Sequence, residues 1–256
     1  MKSLWTMVVL AVAVFVPHGR AAALQENGDP LASARWGDMH RTVLSGSSVQ
    51  FDGRVRVDAP ATAENPMQVP VTVDARALPD VREVAVFADF NPIVEMLRFY
   101  PEGAAPYLGF RVKLQQSTPV RAAARTGDGV WHVGGTWVHT TGGGCTAPSA
   151  SAGSTDWQRH LNEVSGRQWS EGAQAGRVRL RIVHPMDTGL VAGTPAFYLE
   201  EVNLTDSGGT RLMRILAREP VSENPVFTFS RNEVLGAVEA SGRDNNGNTF
   251  KARIAP

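Results

Sequence analysis

The chain has 256 residues with 25 basic and 25 acidic side chains, so its formal net charge is zero and no overall field recruits nucleic acid or an anionic membrane surface. Hydrophobic residues make up 43%, enough to build packed cores, and the length allows one large or two small domains. With a single cysteine, no intramolecular disulfide framework is available to it.

In chain order, the first residues read as a secretory leader. Lys2 gives the positive start, Leu4 to Val16 an apolar stretch too short for a comfortable membrane crossing, and Ala21-Ala22-Ala23 the small-residue cleavage pattern. A signal peptide is therefore expected over residues 1–23 and an exported mature protein. Leu31 to Leu44 carries apolar residues at mixed three-and-four spacing and reads as a short amphipathic helix with Trp36 and Leu44 toward the core. The period then changes to two. Val49, Phe51, Val55 and Val57 fall on one face of an expected strand, and Val69, Val71 and Val73 repeat the alternation. Further strands are expected at Val81 to Phe87, Met96 to Tyr100, Tyr107 to Leu114, Val120 to Arg125 and Val130 to His139, each bounded by Pro, Gly or Asp. Residues 24–145 thus read as an antiparallel β-sandwich.

That unit ends in Thr140-Thr141-Gly142-Gly143-Gly144-Cys145-Thr146-Ala147-Pro148. Glycine lacks a Cβ and samples both halves of φ space, so Gly142, Gly143 and Gly144 read as a flexible arm carrying an exposed thiol. An exposed thiol on a mobile strip serves as a covalent attachment point, a redox sensor, a ligand or a dimer-forming disulfide, all through its thiolate. In an exported chain a lone cysteine is free, capped or paired with another molecule. Residues 146–172 read as a linker: Ala147 to Thr155 is rich in Ser, Ala and Gly, Trp157 to Val164 is a helical turn with Asp156 as N-cap, and Gly166 to Gly176 is polar connection.

A second sandwich is expected over residues 173–256. Arg177 to Val183 alternates cleanly, and Pro195 to Leu204 and Gly209 to Leu216 flank the hairpin signal Asp206-Ser207-Gly208-Gly209. Phe227 to Phe229, Leu235 to Ser241 and Thr249 to Ile254 complete it, the last two joined at Asn246-Gly247. The fold class is all-β, two immunoglobulin-like antiparallel sandwiches after a short helix.

Catalytic chemistry finds little support. His132 and His139 precede the cysteine, but the intervening glycines preclude a held cysteine–base geometry, and both read as solvent-facing strand residues. A blue-copper site needs His and Met close after the cysteine, whereas the next are His160 and Met186. Glu200 and Glu201 are adjacent on a strand, point to opposite faces and share no proton. No GxSxG, HExxH, P-loop or GxGxxG pattern occurs, so no enzyme activity, metal or cofactor is expected. From the residues alone, His184-Pro185-Met186-Asp187-Thr188-Gly189 is a loop: Pro185 stops the preceding strand, Gly189 permits a turn, and Asp187 and Thr188 hydrogen-bond their own backbone.

Taken together, a β unit ending in Gly-Gly-Cys and a second one opening on His184-Pro185-Met186-Asp187-Thr188-Gly189 resemble the SoxY and SoxZ sulfur-carrier proteins fused in one chain. Ala59-Pro60 through Val69-Pro70-Val71 resembles the early SoxY strand pair. Pro195-Ala196-Phe197, Glu201-Val202 and Ser222-Glu223-Asn224-Pro225 fall in the order of SoxZ. The resemblance implies a non-catalytic periplasmic carrier, with Cys145 as the covalent attachment site for a sulfur intermediate, Gly142, Gly143 and Gly144 as its swinging arm, and His184 to Gly189 with Asn224 and Pro225 as the SoxZ-like motif. Implied partners are thiosulfate-oxidation enzymes or, for fused chains of this shape, a quinoprotein (PQQ) dehydrogenase and its c-type cytochrome. The alternative is an accessory module that docks such a dehydrogenase or cytochrome while the cysteine is incidental. A dimer disulfide-linked through Cys145 is a third expectation. Two departures from the family pattern stand out: the cysteine lies far from the C-terminus, and its flank reads Gly-Gly-Gly-Cys-Thr-Ala-Pro rather than Gly-Gly-Cys-Gly-Gly.

Overall fold

A computed structural model describes residues 28–149, 156–170, 175–231 and 236–256. The expected signal peptide lies outside them, as do most of the Ala147–Thr155 linker and the start of the strand expected at Leu235. The first half contains α1 (Trp36–Thr42), β1 (Val49–Phe51), β2 (Arg56–Asp58), β3 (Thr62–Ala63), β4 (Val69–Asp74), β5 (Val81–Ala88), β6 (Glu95–Tyr100), β7 (Tyr107–Val112), β8 (Thr118–Thr126) and β9 (Trp131–Thr140). The second contains α2 (Asp156–Arg159), β10 (Val164–Ser170), β11 (Gly176–Ile182), β12 (Leu199–Asp206), β13 (Arg211–Ala217), β14 (Val226–Arg231), β15 (Val238–Asp244) and β16 (Thr249–Ile254).

Among the described residues the strands form two stacked sheets. One runs β1-β9-β8-β5-β6-β13-β12-β15-β16, with β3 against β9, and the other runs β10-β11-β14-β7-β4-β2. All-β layering is as the alternation requires. Val69, Val71 and Val73 of β4 and Val178, Leu180 and Ile182 of β11 point into the space between the sheets, and their neighbours point out.

Both sheets cross the boundary between the halves, which the sequence reading did not anticipate. In the larger sheet β6 pairs antiparallel with β13, placing Phe99 opposite Ile215 and Leu97 opposite Ala217. In the smaller sheet β7 pairs with β14, placing Gly109 opposite Thr228. Each unit therefore completes the other's open edge, and one continuous hydrophobic core runs from Val71, Val86 and Phe99 to Val202, Ile215, Phe227 and Phe229. Pairing removes the sheet edges that two separate sandwiches would leave exposed.

Three local expectations are corrected. Val49 to Val57 is two strands in different sheets, because the chain turns at Asp52-Gly53-Arg54 and crosses from the β9 edge to β4. Residues 164–170, read as linker, form β10, which pairs along its whole length with β11 and whose Gln168 Nε2 donates to the carbonyls of Gly236 and Ile254. Not every pairing is antiparallel: β1 and β3 both run parallel to β9.

The expected helix is shorter than its apolar pattern, with Trp36 and Met39 packing over Phe87, Ala123 and Trp131 on the outer face of the larger sheet. Beneath it Arg121 is fully buried, its guanidinium donating to both carboxylate oxygens of Asp29 at 2.7 and 2.8 Å and to Asp89 at 3.0 Å. A buried guanidinium is tolerated only when its charge and its N–H donors find partners in this way.

The shared core makes a specific expectation. Phe99→Ala removes a fully buried ring at the seam and is expected to lower stability by about 3–5 kcal/mol. Urea unfolding monitored in two variants that keep only Trp131 or only Trp169 of the six tryptophans is expected to give one coincident cooperative transition; two separated transitions would contradict a common core.

Candidate functional site

At the end of the smaller sheet where β4 begins and β7 and β11 end, four segments meet. They are the loop after β7 (Lys113 to Ser117), the Gly142–Pro148 turn, the loop after β11 (His184 to Gly189) and the approach to β14 (Ser222 to Pro225). Cys145 lies among them at 0% exposure. The exposed thiol read from the sequence is thus corrected: the sulfur is enclosed.

The glycines bring this about by a route opposite to free swivelling. Gly142 and Gly143 sit at φ +85° and +86°, the left-handed region that costs glycine nothing. Gly143 and Gly144 donate backbone N–H bonds to the carbonyls of Gln115 and Leu114 at 2.9 and 3.0 Å. A Cβ on Gly144 would lie 2.2 Å from the Pro66 carbonyl oxygen and 2.8 Å from that of Leu114. The absent side chains admit close backbone approach, and the expected swinging arm is latched against the β7 loop. The Cys145 N–H donates to Gln115 Oε1 at 3.2 Å, while Asn91 fixes that loop by donating to the Lys113 carbonyl and accepting from the Gln115 N–H.

The second half closes the lid. Thr188 Oγ1 donates to the Cys145 carbonyl at 2.6 Å, and the buried Lys113 ammonium donates to the Met186 carbonyl. Asn224 holds the His184 loop in place: its N–H donates to the His184 carbonyl at 2.8 Å, and its Oδ1 accepts from the His184 N–H. Asn224 and Met186 both adopt positive φ, +49° and +53°. The Met186 N–H donates to His184 Nδ1 at 3.1 Å, which leaves the ring proton on Nε2, facing Asp244 Oδ2 at 3.7 Å. Asp187 and Phe197 exchange backbone hydrogen bonds, and Ser222 Oγ reaches the Met67 carbonyl in the first half. His184, Met186, Asp187 and Thr188 of the SoxZ-like motif thus belong to the cover or its support, with Gly189 turning the chain at φ +75° and Pro225 accepting from the Ile182 N–H.

Electrostatics follow from enclosure. Burial pushes the Cys145 thiol up to about 11, with the nearby Lys113 charge pulling only partly the other way. Its Sγ sits 3.6 Å from the Lys113 carbonyl, the arrangement of a neutral S–H donor. Burial holds Lys113 below the ordinary lysine value despite Asp187, Cys145 and Glu223 around it. Burial also raises Asp187, against a hydrogen bond from Ser149, and depresses His184 to about 4. In this closed arrangement the sulfur is a thiol, not a thiolate, and is shielded from other molecules. A disulfide to a second copy, or capture of any cargo, requires the Gly142–Pro148 turn to leave its seat.

The two candidate bases are engaged elsewhere; His139 is exposed as expected, but His132, read as solvent-facing, is buried. His132 Nδ1 lies 2.8 Å from Asp52 Oδ2, and His139 stacks on Trp137 with ring centroids 6.1 Å apart. Among the described residues no three of His, Cys, Asp and Glu gather into a metal-binding group. Sequence reasoning missed Lys113, Gln115, Asn91 and Pro66, none of which stands in a local motif.

Two measurements test the latch. Gly144→Ala forces the turn off the Pro66 and Leu114 carbonyls and is expected to raise the rate of Cys145 labelling by a maleimide about tenfold or more. Thr188→Val removes one hydrogen bond worth about 1 kcal/mol and is expected to raise it about fivefold. Equal rates in wild type and Gly144→Ala would contradict the closed seat. Acid supplies a further test: a histidine depressed from 6.5 to about 4 stabilises the fold fully above pH 6.5, and that contribution is lost as pH falls through about 4. Urea midpoints measured from pH 7 to 4 are therefore expected to fall more steeply for wild type than for His184→Gln; parallel slopes would contradict a buried neutral imidazole.

The comparisons with known proteins match the chain in two pieces. The family model for the sulfur oxidation protein SoxY matches residues 40–145, ending on the cysteine, and that for the sulphur oxidation protein SoxZ matches residues 167–255. No curated protein is a match. Among solved structures, the sulfur carrier protein SoxY from Chlorobium limicola f thiosulfatophilum is 21% identical, covering 42% of this chain and 96% of that one with a TM-score of 0.37, a similarity too low to argue from. With its two family matches in this order, the chain is a fusion of a SoxY domain and a SoxZ domain in a single polypeptide.

Proposed function

We propose that the chain is a non-catalytic carrier that holds a sulfur-containing intermediate covalently on Cys145 and presents it to partner oxidation enzymes. One observation carries the reading: the two segments that mark the SoxY and SoxZ halves meet at one residue, Cys145, which the His184–Thr188 loop holds through Thr188 Oγ1 on its carbonyl while the loop itself is fixed by Asn224. A structural cysteine filling a core would need no such converging machinery from both halves. On this reading the closed seat is the protected form, in which a neutral thiol pushed up to about 11 resists adventitious oxidation. The working form has the turn displaced and the sulfur outside.

Loading is a two-electron oxidation. Joining thiosulfate to the thiol makes one S–S bond and releases one proton and two electrons, which a partner redox protein accepts. The carrier supplies the sulfur and its position, and the partners supply the chemistry. The proposal includes a periplasmic location, reached through the leader at residues 1–23, and partners drawn from sulfur-oxidation enzymes or from a quinoprotein dehydrogenase and its cytochrome.

Enclosure of the sulfur favours a second reading, an accessory module that docks a dehydrogenase or cytochrome while Cys145 merely fills its pocket. Two experiments separate them. Intact mass of protein purified without reductant from cells oxidising sulfur compounds is expected to show an adduct on Cys145 that dithiothreitol removes. Cys145→Ser, nearly isosteric, is expected to abolish pathway activity while leaving the fold and partner binding intact; undiminished activity together with an unmodified wild-type thiol would establish the second reading instead.

A further inference from the structure

The outer face of the smaller sheet carries a charge pattern that neither the closed seat nor the core requires. Arg177, Arg179 and Arg181 alternate along β11, opposite Ser230, Thr228 and Val226 of β14 on one side and Trp169, Arg167 and Ser165 of β10 on the other. Beyond β14, β7 contributes Tyr107, Gly109 and Arg111 to the same face. Between β10 and β7 this face therefore presents five arginines, and no described strand position on it is acidic. In a chain whose basic and acidic residues balance at 25 each, that is a strong local segregation. The face's two carboxylates stand apart, on β2 and β4: Asp58, and Asp74, which is matched by Arg56 and Arg76.

The arginines are also ordered. Arg167 and Arg179 lie over the Trp169 ring, at 5.5 and 5.8 Å from its centroid, and Arg179 Nε donates to Thr228 Oγ1 at 3.2 Å. Stacking a guanidinium on a ring fixes its plane and leaves its in-plane N–H edge to meet a carboxylate. Gly109, which has no side chain, lines a shallow depression of about 360 Å³ together with Arg111, Arg179 and Arg181.

Position ties this face to the sulfur. Arg111 stands two residues before Lys113, whose carbonyl contacts Cys145 Sγ, and Arg181 stands three residues before His184. A body seated on the arginines would overlie the end of the sheet at which the Gly142–Pro148 turn is latched.

We propose that this arginine face is the docking surface for an acidic face of a partner protein, orienting the partner's active site over Cys145. The identity of the surface rests on charge and geometry alone; its link to Cys145 rests on the carrier reading. Exposed arginines of this kind act chiefly on association rate and specificity, and their contribution is screened by salt.

The test uses the full chain and a fluorescein-labelled deca-glutamate peptide as probe, followed by anisotropy at 20 and 150 mM salt. Wild type is expected to bind the peptide with an affinity that falls with salt, and Arg111→Glu/Arg179→Glu/Arg181→Glu to weaken binding about tenfold or more at low salt. Arg41→Glu/Lys251→Glu/Arg253→Glu, with the same charge change on other surfaces, is expected to weaken it less than about twofold. Replacement of the three face residues by lysine, which keeps the charge but not the guanidinium plane, is expected to bind between wild type and the glutamate triple; lysine variants as weak as the glutamate triple with the melting temperature unchanged overturn a charge-based surface. Equal weakening by the two glutamate triples, or no binding by wild type at 20 mM salt, also overturns the proposal. So does tighter binding of phosphatidylglycerol vesicles or a single-stranded oligonucleotide through the same three arginines. The same preparations are assayed for the reducible adduct on Cys145. An adduct without peptide binding sinks the docking face and leaves the carrier, whereas binding through the arginines with Cys145 unmodified sinks the carrier and leaves the face.

Discussion

Pairing between β6 and β13, with β7 against β14 below it, is the constraint from which the rest of the molecule follows. Hydrogen bonds along a sheet edge fix register, and a slip of one residue would turn Phe99 and Ile215 out of the core. Because both layers cross the seam in register, the halves cannot shift against each other without exposing a common apolar interior. The loops at the end of the smaller sheet are therefore held at fixed separation, close enough for Thr188 to reach the Cys145 carbonyl and for Lys113 to reach Met186.

Within that frame, the cysteine pocket is an assembly of polar groups that satisfy one another around an atom with little polar character. Lys113 illustrates the balance. Its ammonium is nearly excluded from water, and desolvation is offset by a backbone carbonyl and by the surrounding carboxylates of Asp187 and Glu223. Such a site is stable only while closed, since opening it hydrates the lysine, releases the thiol toward its usual acidity and frees the Gln115 amide. The enclosure is thus a set of several modest hydrogen bonds, each replaceable by water, and not a hydrophobic plug.

Much of the architecture could be read from residue order. Val69-Pro70-Val71-Thr72-Val73 and Arg177-Val178-Arg179-Leu180-Arg181 alternate so regularly that their strands and inward faces follow directly. Val164 to Ser170 could not be read, because its outward Arg167 and Trp169 and inward Gln168 carry no apolar alternation, and the strand exists through pairing with β11. The seam was invisible for a related reason: Phe99 and Ile215 are far apart in sequence and look like any core residues. At the site, Cys145 and the His184 loop stood out, yet their relation did not. Lys113 follows Phe110-Arg111-Val112 in a position that alternation assigns to the solvent side, but β7 ends at Val112, and the chain bends to bury it. The glycines were the most instructive case. The same lack of a Cβ that suggested freedom permits Gly144 to back onto two carbonyl oxygens, and sequence alone does not distinguish the two uses.

The turn that bears Cys145 is anchored on both sides, by Thr140 to Ser117 before it and by Ser149 to Asp187 after it. On the carrier reading, a turn held at both ends would emerge as a doubled ribbon, two backbone widths across, with the sulfur near its crest. A pore bored for one extended tail would refuse it. On the carrier reading, an enzyme that serviced this thiol would need an open-sided slot no deeper than a bow of the eight residues between Thr140 and Ser149 allows.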